Sequence, residues 1–355
     1  MPATTAPSPS STRSTRDGSP LPGLGRGLAH THRVPRHTVH KAAATEVFLT
    51  DARQLAEDRF AVAALWPRDR FLTYRGTGGH ADPMLLVETV RQATIFLSHR
   101  FYGVPADRPF VLCDLGFDLD EPLPSGDGSP LPLALDASLV PTTTGPGRFG
   151  MRLRATVHHG ERRLGTACQS WQAVTPERYD RIRHRHPVSP AAPGAWEHAT
   201  PLHPAAVGYQ RTSDVLLATV PGAVPATAPG AASPAGPRPA GPRTWQLRMD
   251  QNHPVLFDHA SDHIPGMVLM EAFRQAAHVL TAPAAGAGAH RPVSLASAST
   301  AFHSFGELDA PVTISAQPVF RAGPYLNVTA TQQDRTLASA LVRPALPGTE
   351  GSTAC

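Results

Sequence analysis

Two copies of a polar triplet are the part of this sequence best suited to chemistry. Both copies have the spacing i, i+3 and i+4 within apolar runs: Glu88, Arg91, Gln92 and Glu271, Arg274, Gln275. Residues at this spacing share one face of a helix. A buried carboxylate must be paired or face a cavity, because burying it unpaired is costly. The triplets are therefore candidates for a functional site in a cleft. A structural Glu–Arg bridge at a helix edge is the alternative that the pattern leaves open.

A histidine-rich loop precedes the second triplet. His259 and His263 lie in this loop, and Gly266 follows at the expected start of the helix. Backbone N–H groups at a helix start can bind a carbonyl oxygen, so Gly266, or Met84 in the first copy, is a candidate site for an acyl oxygen. The two histidines have i, i+4 spacing, but no third ligand is evident. We therefore expect neither a metal site nor a cofactor.

The triplets belong to an internal repeat in which Glu88 and Glu271 are separated by 183 residues. Apolar residues surround most of each predicted helix, which indicates that both helices are buried. The aligned segments are 46–49 with 214–217, 59–66 with 243–249, and 84–93 with 267–276. The second of these pairs shows the two-residue alternation of a strand.

Strand-like runs bounded by turn residues follow each predicted helix. They are residues 150–158 and 164–174 in the first unit, and 312–319, 325–332 and 337–342 in the second. Each unit thus predicts strands, one long helix and a run of antiparallel strands. This order is typical of an α+β fold in which a curved sheet wraps around a helix. Two such units in tandem predict a pseudo-dimer with sites at the interface.

Composition places the boundaries of the units. Residues 1–36 are polar and are expected to form a disordered tail, as are residues 346–355. The first domain is assigned to residues 37–186, a proline-rich linker to 187–203, and the second domain to 204–345. A Pro/Ala/Gly tract at 220–243 is interpreted as an expanded flexible loop between two strands of the second domain.

Charge and cysteine content exclude several classes of protein. The net charge of +4 is spread over scattered arginines without a groove-reading motif, so nucleic-acid binding is not expected. Three cysteines without CxxC spacing argue against a disulfide framework and a zinc ribbon. No apolar stretch reaches about 18 residues, and the N-terminus lacks the apolar core of a signal peptide. A cytoplasmic protein without membrane contact is expected.

Two family resemblances become visible once these motifs are in place. His259 follows Asn252 by seven positions and Glu271 follows Pro265 by six, a pattern that resembles the hot-dog fold of 3-hydroxyacyl-acyl-carrier-protein dehydratases. A closer resemblance covers about residues 37–345. The segments 39–41, 82–93, 253–259 and 262–267 together resemble the A-factor biosynthesis (AfsA/ScbA) family.

The second resemblance implies a tandem double hot-dog acyltransferase. It implies transfer of a β-ketoacyl group from a carrier-protein thioester to the hydroxyl of dihydroxyacetone phosphate, in the synthesis of γ-butyrolactone or butenolide signals. On this basis Glu88, or else Glu271, is assigned as general base. Arg274, with Arg91 second, is assigned to the phosphate. His259 is assigned to orient the acyl carbonyl or to replace the base.

Two other functions remain open from the sequence. One is a hot-dog dehydratase or thioesterase, in which His259 and Glu271 would act on the acyl chain. The other is a non-catalytic acyl or lactone sensor. The arginines between Arg178 and Arg185 are a candidate docking surface for an acidic carrier protein, and a homodimer is compatible with the pattern.

Overall fold

The computed structural model describes residue 24 and residues 27–72, 80–124, 128–145, 147–185, 199–219, 242–281, 293–319 and 324–345 of the 355-residue chain. The tail at 346–355, the tract at 220–241 and the linker segment at 187–198 lie outside the described residues, and so do the predictions made for them.

The described part of the first half of the chain has six strands and two helices. The strands are β1 (Leu49–Ala56), β2 (Arg59–Trp66), β3 (Phe110–Leu119), β4 (Leu131–Gly145), β5 (Arg148–His159) and β6 (Arg162–Val174). The helices are α1 (Pro83–Tyr102) and α2 (Pro176–Arg183). Short 3₁₀ turns, Arg36–Val39 and Ala44–Glu46, precede β1.

The second half repeats this order with shorter strands. They are β7 (Leu217–Ala218), β8 (Arg243–Leu247), β9 (Leu295–Phe302), β10 (Thr313–Val319), β11 (Tyr325–Gln332) and β12 (Arg335–Pro344). The helix is α3 (Gly266–Thr281), and the 3₁₀ turns are Pro204–Val207 and Thr212–Asp214.

All twelve strands form one antiparallel sheet with the order β1-β2-β4-β5-β6-β3-β9-β12-β11-β10-β8-β7. The second six strands repeat the order of the first six in reverse, as an internal two-fold relation requires. The halves join where β3 pairs with β9, for example Gly116 opposite Ser299. An added Cβ at Gly116 would lie 3.0 Å from the Ala298 carbonyl oxygen, so glycine favours this close pairing. The predicted α+β pseudo-dimer is confirmed.

The two long helices lie against the same face of the sheet and are buried. The Asp82 side chain accepts a hydrogen bond from the Met84 N–H and so caps α1, which ends at Gly103 with φ of 63°. Nearly every residue of α1 up to Ser98 is buried, which follows from its apolar composition. In the described part of the chain, no helix has both the length and the hydropathy to cross a membrane.

The structure corrects the predicted N-terminal tail. Order begins before residue 37, because the Val34 N–H donates to the Leu49 carbonyl. Leu28 is also buried and packs on Ala61 and Ala63, which point to the outer face of β2. These alanines give the N-terminal segment an apolar surface to cover. This short apolar contact was not predicted from the sequence, because residues 1–36 are polar overall.

Candidate active site

A cavity of about 720 Å³ lies between the two halves. Its apolar walls include Leu112 and Leu115 from β3, Met267 and Met270 from α3, and Phe302 from β9. One group of charged lining residues, Lys41, Glu88, Arg91 and Asp258, is held together by ion pairs between the two halves, and α2 contributes Arg183 to another part of the lining. The charged lining residues are Lys41, Glu88, Arg91, Arg183, Arg185, Asp258, Asp262 and Arg335. Cations therefore outnumber carboxylates in a space large enough for an acyl chain and a polar group.

Glu88 is buried at the centre of the charged group formed with Lys41, Arg91 and Asp258. Its carboxylate accepts hydrogen bonds of 2.9 Å from Arg91 Nε and Nη2, and one of 2.8 Å from Gln92 Nε2. Burial alone would raise the pKa of Glu88, but the charges of Arg91 and Lys41 outweigh burial and lower the pKa to about 2. The carboxylate is therefore ionised at neutral pH and is a weak base. This environment does not favour the predicted role of Glu88 as general base.

Lys41 joins the two halves within this charged group. It is the only lysine in the sequence, and its side chain is 6% exposed. Its Nζ lies 3.5 Å from Glu88 Oε1 and 3.5 Å from Asp258 Oδ2. The Asp258 carboxylate also accepts hydrogen bonds from the N–H groups of Ala42 (2.8 Å) and Ala43 (3.1 Å). The loop before α3 is thus fixed against the first half of the chain.

This loop places His259 beside the first triplet and not beside Glu271, with which the sequence paired it. His259 Nδ1 lies 3.8 Å from Asp258 Oδ2. Burial, with the charges of Arg91 and Lys41, lowers the pKa of His259, so the imidazole is neutral at pH 7. The site is therefore composite, with a helix from one half and a loop from the other.

The second triplet is sealed within the core. The Glu271 side chain is 0% exposed and that of Arg274 is 1% exposed, and neither is among the described residues that line the cavity. Arg274 Nε donates to Glu271 Oε2 at 2.9 Å, and its guanidinium stacks 5.0 Å from the Tyr209 ring centre. Tyr209 OH donates to Glu271 Oε1 at 3.1 Å. This geometry therefore does not favour the assignment of Arg274 to the substrate phosphate.

Tyr209 explains why the two triplets differ. It follows the turn Pro204–Val207 in the same position at which Lys41 follows the turn Arg36–Val39. The aromatic ring fills the space over Arg274, whereas Lys41 leaves Arg91 with a side chain that is 20% exposed. Burial raises the pKa of Glu271, although Arg274 opposes this shift. Of the two triplets, only the first contributes residues to the described lining of the cavity.

The two glutamines form hydrogen bonds with the backbone and are not among the described residues that line the cavity. Gln92 Oε1 accepts the Phe48 N–H at 2.8 Å, and Gln92 Nε2 donates to the Glu46 carbonyl at 2.7 Å. Gln275 makes the same two bonds with Leu216 and Asp214. Each amide also donates to the glutamate one turn earlier. Both therefore orient the glutamates and tie the helix to the chain entering the first strand, which differs from their predicted substrate-binding role.

The two helix starts predicted to bind an acyl oxygen, at Met84 and Gly266, have different surroundings. The Met84 N–H is bound to Asp82 Oδ1 at 3.0 Å, and Met84 is buried away from the cavity. Gly266 lines the cavity, and a Cβ there would lie 3.2 Å from atoms of both Leu112 and Phe302. The start of α3 therefore borders the cavity.

His263 lies at the mouth of the cavity, apart from His259. Its Nδ1 is 2.6 Å from Asp262 Oδ1 and 3.2 Å from the hydroxyl of Tyr179 on α2. Its ring packs on Phe305 with centres 4.8 Å apart. In the described ranges, no group of three or more His, Cys, Asp or Glu side chains is placed to hold a metal ion.

Three residues of the site were not singled out as site residues from the sequence: His40, Lys41 and Asp258. The solitary lysine in an arginine-rich chain was the available signal for Lys41. Asp258 is 217 positions away from Lys41, and only the folded chain brings them together.

Comparison with known proteins agrees with this architecture. The family model described as "A-factor biosynthesis hotdog domain" matches residues 27–175 and 191–345. The 2-oxo-3-(phosphooxy)propyl 3-oxoalkanoate synthase of Streptomyces virginiae is 35% identical over 327 residues, which cover 91% of this chain and 99% of the relative. The synthase of the same name from Streptomyces griseus subsp. griseus is 30% identical and covers 84% of this chain and 86% of its own length.

A solved acyl-ACP thioesterase from Bacteroides thetaiotaomicron is a more distant likeness. It is 12% identical with a TM-score of 0.42, and the match covers 80% of this chain and 98% of that chain. A likeness this distant supports no functional conclusion. The two matched copies of the family domain agree with the twelve-stranded sheet and its paired helices, so the fold is the tandem double hot-dog that the sequence predicted. On the evidence of both domain matches and of relatives aligned over most of its length, the chain belongs to the A-factor biosynthesis hotdog domain family.

Proposed function

We propose that this chain is an acyltransferase that forms a 2-oxo-3-(phosphooxy)propyl 3-oxoalkanoate. It transfers a β-ketoacyl group from a thioester to the hydroxyl of dihydroxyacetone phosphate. The observation that supports this most is the cavity between the halves, which combines apolar walls with an excess of cations. An acyl chain requires the first feature and a phosphorylated acceptor the second. The named relatives carry the same activity in their names.

Arg91 is the phosphate-binding residue in this proposal. Its side chain is partly exposed at the cavity, whereas that of Arg274 is sealed. A guanidinium can donate two parallel hydrogen bonds to phosphate oxygens. Glu88 uses Nε and Nη2 of Arg91 and holds the guanidinium plane in a fixed orientation. Glu88 thus acts as a permanently ionised positioning group for Arg91 and Lys41.

The acyl group occupies the apolar part of the cavity. Its thioester carbonyl is placed at the start of α3, where the backbone at Gly266 and Met267 borders the cavity. N–H groups at a helix start stabilise the negative charge that develops on the carbonyl oxygen. His259, which is neutral at pH 7, donates a second hydrogen bond to this oxygen in the proposed arrangement.

The thioester arm leaves the cavity beside α2. Arg183 is held there by Glu307 at 2.5 Å, and Arg185 lies exposed two residues further along the chain. An acidic carrier protein would dock at the exposed Arg185, which belongs to the arginine segment singled out from the sequence. This partner, like dihydroxyacetone phosphate, is part of the proposal.

A hot-dog thioesterase is the second candidate, because it needs the same acyl pocket and only water as acceptor. The cations of the cavity favour a phosphorylated acceptor over water. A dehydratase is less favoured, because His259 does not lie with Glu271 as the sequence-based alternative required.

One incubation separates these functions. The purified chain is given a β-ketoacyl thioester with and without dihydroxyacetone phosphate, and the products are identified by mass spectrometry. The proposal requires a phosphorylated ester that forms only when the acceptor is present. Free acid at equal rates under both conditions would identify a thioesterase, and an enoyl product a dehydratase. Tight lactone binding without any product would identify a sensor.

A further inference from the structure

The backbone at His40 has an unusual conformation. His40 follows the turn Arg36–Val39 with φ of 53° and ψ of 49°, in the left-handed region. The equivalent residue of the second half is Gly208, with φ of 79°. The other described non-glycine residues with positive φ, Asp58 and Gln333, lie in tight hairpin turns. Glycine adopts this conformation most easily, so the histidine is held here against backbone preference.

A hydrogen-bonded pair of histidines accounts for this choice. His99 Nδ1 lies 2.7 Å from the Val104 carbonyl oxygen, and His99 Nε2 lies 3.0 Å from His40 Nε2. A carbonyl only accepts, so His99 Nδ1 carries the proton. With both rings neutral, His99 Nε2 accepts from the His40 Nε2–H. His40 Nδ1 is then left with a lone pair.

The surroundings keep His40 uncharged. Burial lowers its pKa to about 4, with contributions from His99 and Arg91 on α1 and from His259 in the loop before α3. Phe110 at the start of β3 packs edge-on against both imidazoles, at 5.4 Å from His40 and 5.3 Å from His99. His40 also lines the cavity next to Lys41. The second half has Gly208 at this position, beside the sealed triplet.

We propose that His40 is the general base of the acyl transfer and that His99 is its positioning residue. This inference rests on the proposed function and assigns the base to a neutral imidazole with an available lone pair, whereas the Glu88 carboxylate already accepts hydrogen bonds from Arg91 and Gln92. His40 Nδ1 takes the proton of the acceptor hydroxyl as the oxygen forms its bond to the thioester carbonyl carbon. The carbon–sulfur bond then breaks, and the imidazolium returns the proton to the leaving thiolate, so protons and electrons balance.

The test uses His40→Gly, which gives this position the residue found at the equivalent Gly208 of the second half. Because glycine prefers this backbone conformation, the variant is expected to melt at the same temperature as the wild type or higher. Loss of a general base lowers kcat by about 10²–10⁴-fold with little change in KM for either substrate. Added imidazole is expected to restore part of the rate. His37→Ala, an exposed histidine of the same turn, is the matched control and keeps wild-type kcat without a response to imidazole.

A second readout tests His99 without relying on turnover. The ¹⁵N shifts of the imidazoles report which nitrogen is protonated, and wild-type His40 is expected to be neutral and protonated at Nε2 at pH 7. In His99→Leu, this single form gives way to a mixture, and kcat falls by about 10-fold or more at unchanged KM.

Two results would overturn the inference: a His40→Gly enzyme with near wild-type kcat, or a His40 protonated at Nδ1 at pH 7. A His259→Gln variant that abolishes transfer while His40→Gly does not would assign the base to His259 instead. A wild-type protein that forms no phosphorylated ester would refute the proposed function itself, and so is distinguished from a failure at His40.

Discussion

The contrast between the two arginines gives the sharpest prediction. Arg91→Met and Arg274→Met make the same change at equivalent positions of the repeat. Arg274 is 1% exposed and pairs with a fully buried Glu271, so its removal leaves a buried carboxylate with only Tyr209 and Gln275 as donors. Breaking a buried pair in this way costs about 3–5 kcal/mol. That cost corresponds to a melting temperature lower by roughly 6–12 °C.

Arg91→Met is expected to act on the substrate instead. Glu88 keeps Lys41 and Gln92, so the stability loss is smaller. A charged hydrogen bond to phosphate is worth about 1.5–3 kcal/mol, which predicts a KM for dihydroxyacetone phosphate higher by about 10–150-fold. Urea unfolding and steady-state kinetics measure the two effects separately.

A double variant controls the interpretation. Glu271→Gln added to Arg274→Met removes the orphaned charge and should recover about half or more of the lost stability, since a neutral pair is cheaper to bury than one charge. If Arg274→Met instead had the stability of the wild type and raised only the KM for dihydroxyacetone phosphate, Arg274 would contact the substrate. The description of the second triplet as sealed would then be wrong.

Three further predictions follow from the described contacts. Lys41→Met leaves Glu88 and Asp258 without their shared cation and should lower both the melting temperature and kcat; equal values for variant and wild type would contradict the bridge. Asp258→Asn weakens the acceptor of the Ala42 and Ala43 N–H groups and so fixes the His259 loop less firmly. We expect kcat to fall by about 10-fold, and the KM for the thioester serves as the control. Burial lowers the pKa of His40 and of His278 from 6.5 to about 4. Between pH 6.5 and 4 the unfolded chain therefore binds more protons than the folded chain, so stability should be full above pH 6.5 and fall as the pH drops toward 4. Melting curves at pH 7 and pH 5 measure this difference.

Much of the fold was readable from the sequence because its signals are local. The repeat of the Glu–Arg–Gln triplet located both central helices, and the runs at 325–332 and 164–174 matched observed strands within a few residues. Strands β3 and β9 were not singled out, and these two form the seam between the halves. Their pairing is a contact over nearly 200 residues, which no local period reveals.

The site was predicted less completely for the same reason. The triplets were identified, but whether a triplet meets a cavity depends on one distant residue, Lys41 or Tyr209. Spacing alone cannot show that an aromatic ring covers Arg274. The sequence also paired His259 with its own helix, although Asp258 anchors that loop to the other half of the chain.

The covalent link between the two hot-dog units has a consequence for how the molecule can vary. When a homodimer builds two equivalent pockets, every substitution enters both at once, so neither can change alone. Here one copy carries Lys41 and an open charged pocket, while the other carries Tyr209 and a closed, stabilising one. Fusion into a single polypeptide removes the symmetry constraint, and one half can therefore serve as scaffold for the chemistry of the other.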